Sequence, residues 1–183
     1  WSCTCPAVNQ FSKRCVACVQ WRLCLASPGA VDKLWINCLW GQAMITLEIA
    51  RAIIGGALAH GSTAGLKPLS VAVLDAGGHL LAFEREDGAS PGRFEIARGK
   101  AYGTVMLGMP GSAQMARAEQ QAYFMAAVNG AFEGRVVPVP GGVLVTGEDG
   151  AVIGAVGVTG DTSDNDAAAA MAGIDAAGLT GLA

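Results

Sequence analysis

Apolar and polar positions change their rhythm several times along the chain, and each rhythm predicts an element. Leu47, Ala50, Ile53, Ile54, Ala57 and Leu58 recur every three or four residues. That spacing predicts an amphipathic helix over 47–59 with one buried stripe. Thr46 can cap it, Glu48 lies in its first turn, and His60-Gly61 reads as its end. From residue 69 the rhythm shortens. The β-branched and apolar runs 69–74 and 79–84 flank Asp75-Ala76-Gly77-Gly78, a strand, a glycine turn and a second strand. Ser90-Pro91 reads as the cap and first residue of a helix over 91–107 that stops before Pro110. Ser112 opens a third helix to Val128, closed by Asn129-Gly130.

The remaining third of the chain is richer in glycine. Val136–Val139 is an apolar run interrupted by Pro138 and followed by Pro140, which predicts a short strand at a sheet edge. Val143–Thr146 and Ala151–Val158 form a hairpin around Gly147-Glu148-Asp149-Gly150. Ser163 caps a last, alanine-rich helix over 164–177, with Asp164 and Asp166 in its first turn. The order α-β-β-α-α-β-β-β-α contains hairpins and no regular βαβ alternation. It predicts an α+β domain, an antiparallel sheet of about five strands flanked by helices.

Composition alters this picture in one place. All six Cys and all four Trp lie within the first 40 residues, where Lys13, Arg14, Arg22 and Lys33 face only Asp32. The rest of the chain is acidic, and the whole carries −3. The chain therefore divides into a Cys/Trp-rich extension, 1–43, and a body, 44–183. In the extension, Cys3 and Cys5 with Cys15 and Cys18 have spacings that suit a zinc ion or a disulfide cluster. The same stretch lacks both helical and strand periodicity. We read it as sequence upstream of a natural start at Met44, which leaves no export signal and predicts a cytoplasmic protein. No apolar run reaches the roughly 18 residues of a membrane span. The acidic balance, with no Lys/Arg cluster, argues against a nucleic-acid partner.

Candidate chemistry is sparse. Asp161-Thr162-Ser163-Asp164-Asn165-Asp166 reads as a capped helix start. Its carboxylates would repel a phosphate, and Ala172 stands where a calcium loop needs its bidentate Glu. His60 and His79 are the only imidazoles, and either can ligate a haem iron, a centre that needs as few as one protein ligand. The best polar constellation is Arg85, Glu86 and Asp87 at a strand end, Lys100 on the following helix, and the side-chain-free backbone of Gly141-Gly142. Arg85 or Lys100 can hold a carboxylate or a haem propionate by a charge-assisted bond.

The body resembles the GlcG/HbpS-like family, often labelled haem-degrading, which also includes the C-terminal domain of PduO-type cobalamin adenosyltransferases. The resemblance covers residues 44–180. It rests on "MITLEIARAII", "LSVAVLDAGGHLLAFEREDGA", "ARGKAYG", "VPVPGGVLV" and "GAVIGAVGVTGDTSDND", in that order. It implies a profilin-like sheet and helices, homo-oligomers from dimers to octamers, and a small-molecule ligand. That ligand is haem or another tetrapyrrole in some members, linked there to haem breakdown or iron sensing. Other members lie beside glycolate or diol catabolism, which implies an alternative role on a small hydroxy acid. In that role Lys100 and Arg85 would anchor the carboxylate and Asp87 or Glu86 would act as base. Glu86 stands where members commonly have Met, and Gly103-Thr104 shifts the Thr of the Lys-Ala-x-Thr-Ala pattern.

Overall fold

A computed structural model describes residues 44–183. The zinc and disulfide readings of the 1–43 extension lie outside the described residues. Helix α1 spans Leu47–Ala64, and Thr46 accepts from Ile49 N as its cap. It runs one turn past the expected end, because Gly65 (φ +66) provides the left-handed stop. Gly61 stays inside the helix, where an added Cβ would meet Leu69. β1 (Ser70–Asp75) and β2 (Leu80–Arg85) follow, then α2 (Arg93–Leu107). Ser90 contributes its carbonyl to Arg93 N instead of a side-chain cap. The single helix expected from Ser112 is two, α3 (Gly111–Gln120) and α4 (Ala122–Ala131), broken at Gln121 (φ −137, ψ 56).

β3 (Gly142–Thr146), β4 (Val152–Thr159), α5 (Ser163–Ala176) and β5 (Thr180–Leu182) complete the described chain. Thr162, not Ser163, caps α5 by accepting from Asn165 N. The strands form one antiparallel sheet in the order β2-β1-β4-β3-β5. The α+β reading with five strands holds, yet one strand is a different one. Among the described residues Val136–Val139 pairs with no strand; Val137 N bonds to Gly99 O of α2, and Pro138 and Pro140 have no N–H to offer. Thr180–Leu182 takes the edge beside β3 instead.

Strand alternation sends two sets of side chains to opposite faces. On one face Val71, Val73, Val143, Val145, Val156 and Val158 join Ile53, Ile54 and Ala57 of α1 and Ala169, Ala170 and Ile174 of α5 in the main core. The other face carries Leu74 and Ala155 beneath Ala101 and Tyr102 of α2. It also carries Gly142 and Gly157, which pair with each other across β3 and β4. A Cβ on Gly157 would collide with Ala97 O and lie 2.8 Å from Ala101 N. One on Gly142 would collide with Thr104 Oγ1 and lie 2.7 Å from Lys100 O. At these two positions α2 rests on bare strand backbone.

Candidate functional site

The β1–β2 turn is shaped around one carboxylate. Asp75 Oδ1 accepts from Gly77 N (2.8 Å) and His79 N (2.9 Å), closing the turn. The same carboxylate lies 3.2 Å from His79 Nδ1 through both oxygens. A carboxylate only accepts, so the imidazole donates from Nδ1 and keeps the Nε2 lone pair for a ligand. A Cβ on Gly77 would sit 2.8 Å from the His79 ring. Gly78 (φ +79) lies against α2, where a Cβ would meet Met106 Cε at 2.7 Å and the Tyr102 ring at 3.3 Å. The His79 side chain is 81% exposed.

Beside this turn, α2 and residues 133–137 enclose a groove of about 390 Å³. Ile96, Tyr102 and Val137 give it apolar walls, and Arg98, Arg135, Glu95 and Glu133 give it charge. Arg135 is held by three contacts. Its Nε donates to Phe132 O (3.1 Å), its guanidinium lies 4.8 Å from the centre of the Tyr102 ring, and Nη2 lies 3.3 Å from Glu133. Phe132 meets Tyr102 edge-on at 5.8 Å.

Beneath α2 lies a buried ion pair. Lys100 Nζ donates to Asp166 Oδ2 at 2.7 Å, with side chains 3% and 2% exposed. Burial lowers the Lys100 pKa, while the hydrogen bond and charge of Asp166 raise it and the nearby Arg93 lowers it further. Asp166 Oδ1 also accepts from Asp161 N at 3.0 Å. Next to the pair, Arg93 donates to Thr159 Oγ1 (2.7 Å). Asp161 accepts from Thr162 N, Lys67 N and Asn165 Nδ2, which hold its pKa down to about 2.

The structure gathers only part of the set expected from sequence. Lys100, Gly141 and Gly142 do meet. The opening expected over the two glycines is filled, however: α2 covers Gly142, and Lys100 Nζ and Asp166 Cβ would lie 2.8 and 2.9 Å from a Cβ on Gly141. Arg85 and Asp87 do not join them, because β1 and β4 stand between β2 and β3. Both are exposed, at the end of the hairpin opposite His79. Glu86 is engaged as a clasp, accepting from Leu69 N at 2.6 Å. His60 is half-buried within α1, which packs on the other face of the sheet from α2.

Two features escaped the sequence reading. Asp166 looked like a helix-start carboxylate, and 66 residues separate it from Lys100. The groove draws on two segments whose meeting no local pattern announces. The i,i+4 spacings of Asp75 with His79 and of Arg98 with Tyr102 were the signals available.

Comparison with known proteins places this geometry. A solved PduOC:heme complex superposes with TM-score 0.67 at 21% identity, over 75% of this chain and 97% of that one. The crystal structure of HbpS is 31% identical, with TM-score 0.63, over 73% of this chain and 89% of its own. Klebsiella pneumoniae ORFY is 24% identical, with TM-score 0.66, over 75% and 93%. No curated protein sequence matches the chain. The family model described as "Haem degrading protein HbpS-like" matches residues 45–175.

Proposed function

The chain belongs to the HbpS-like family of haem-degrading proteins, and from that premise we propose that it binds haem or a related tetrapyrrole with His79 as the iron ligand. The observation that carries this reading is the Asp75–His79 unit. A carboxylate on Nδ1 orients a metal-ligating imidazole and makes Nε2 a better donor, and here the carboxylate that closes the hairpin turn also holds the ring. One imidazole suffices for a haem iron, and the His79 side chain is 81% exposed, open to an external ligand. The PduOC neighbour, whose structure is of a heme complex, supports the choice of ligand. Bound haem would supply a redox-active iron, the chemistry that haem breakdown requires.

Haemin titration tests the reading. A Soret shift at micromolar protein is expected, lost or weakened at least tenfold in His79→Ala and unchanged in His60→Ala. No shift, or an identical shift in His79→Ala, overturns it. The reading includes a homo-oligomer, supported by α4, whose sequence AYFMAAVNGA leaves Tyr123 76% exposed and Ala122, Ala126 and Ala127 open. Light scattering at micromolar protein is expected to report a multiple of the chain mass, and a monomer would end that part.

A further inference from the structure

The geometry points to a second binding site, separate from the iron ligand: the groove between α2 and residues 133–137 takes a small zwitterion, an aliphatic α-amino acid. Arginine holds its carboxylate and glutamate its ammonium. His79 is not among the residues lining the groove, so the site needs no iron and stands apart from haem binding. Its volume of about 390 Å³ lies at the low end of the roughly 300–1,000 Å³ range of small-molecule sites. Charge narrows the class further. Arg98 and Arg135 line the groove together with Glu95 and Glu133, two charges of each sign. An anion would meet two carboxylates there and a cation two guanidiniums. A molecule that carries both charges pairs with each kind.

The pairs in place can open for a guest. Arg98 Nη1 lies 3.8 Å from Glu95 and Arg135 Nη2 lies 3.3 Å from Glu133, with the two glutamates 73% and 79% exposed. Exposed pairs of this kind contribute little, so parting one costs little. Arg98 keeps Nε and Nη2 without a partner among the described residues, and Arg135 keeps Nη1. A planar fork is the geometry that holds a carboxylate. Arg135 is also fixed in advance. Its Nε donates to Phe132 O and its guanidinium rests on the Tyr102 ring, so it loses little freedom on binding. Glu133 carries an independent mark. Its φ of +56 is the one positive value at a non-glycine residue among the described residues. A side chain in that region is strained, and such strain gathers at binding and catalytic sites. Here it brings to the rim a carboxylate that glycine, the easy residue for this backbone, would not supply. Ile96, 36% exposed, and Val137 add an apolar wall for an aliphatic side chain.

The test titrates L-leucine, isocaproate and isoamylamine into the full chain by calorimetry; the last two are leucine without its ammonium and without its carboxylate. Wild type is expected to bind leucine about tenfold to a hundredfold more tightly than either, the range for a charged hydrogen bond. Arg135→Gln and Glu133→Gln are each expected to lose a similar factor for leucine. Arg51→Gln, at an exposed position on α1, is expected to match wild type. Urea midpoints check that each variant is folded, and Arg98→Gln with Glu95→Gln carries the test if Arg135→Gln unfolds. No heat with leucine up to about 10 mM overturns the site. So does leucine binding no tighter than its two fragments, or undiminished in the groove variants. Haemin is followed separately by its Soret shift, so the iron ligand and the groove stand or fall independently.

Discussion

Asp166→Asn leaves Lys100 under α2 with no carboxylate beside it. Shape is kept, and the amide oxygen can still accept from Asp161 N, which Oδ1 now takes at 3.0 Å. What disappears is a 2.7 Å ion pair between side chains that are almost fully buried. Removing one partner of such a pair costs about 3–5 kcal/mol. Burial already lowers the Lys100 pKa against the opposing pull of Asp166. Without Asp166 that pull is gone, and the folded variant holds the ammonium proton less tightly than the unfolded chain does. The folded variant then binds fewer protons than its unfolded chain, so its stability rises with pH until the unfolded lysine also deprotonates. By about pH 9 it should regain part of the deficit. The lost attraction between a carboxylate and the α5 N-terminus, about 0.3–1 kcal/mol, should not return. Urea denaturation followed by circular dichroism, near neutrality and at that higher pH, measures this, with wild type as reference. The thermal midpoint is expected to drop by about 6–20 °C near neutrality. Lys100→Met combined with Asp166→Leu is expected to recover most of the loss, because an apolar pair of similar size satisfies the site. An equal deficit at both pH values, or one below about 1 kcal/mol, would refute the account of this pair.

Other perturbations follow from the same geometry. Gly157→Ala pushes a methyl into Ala97 O and Ala101 N, and should lower stability by about 1–3 kcal/mol as α2 lifts; an unchanged urea midpoint contradicts this. Asp161 has its pKa lowered from 3.8 to about 2, so its contribution is present above the higher value and lost as pH falls through the lower one. Asp161→Asn should therefore flatten the acid limb of stability between those values, as an acid titration of circular dichroism would report. Asp75→Asn should weaken haemin binding by about tenfold to a hundredfold by leaving the imidazole poorly oriented, and wild-type affinity in that variant would detach Asp75 from ligation.

Local order was the legible part of the sequence. The α1 stripe, the Asp75–His79 turn and the Gly147–Gly150 turn were readable because each depends on residues within a few positions of one another. Helix ends were less so. Thr162 and Ser163 can both cap, and only the backbone extension of Thr162 (φ −69, ψ 154) decides between them. The break at Gln121 carries no Gly or Pro to announce it. Thr180-Gly181-Leu182 has no alternation to mark a strand and becomes one because the β3 edge is there to pair with. Lys100 was recognised as significant but assigned an external partner, since nothing within its own helix hints at Asp166. A polar residue's partner across the fold is a property of topology, which spacing along the chain does not encode.

Where α2 crosses Gly142 and Gly157 it sits directly on amide planes, with no side chain between helix and strand at that crossing. Anything lodged on its outer surface meets a bed that cannot yield. Adaptation to a guest of another size must then come from the rim, the 133–137 segment and the hairpin tip. Swapping rim residues should therefore retune what is held, whereas alterations to the bed should cost the protein its shape before they alter its taste.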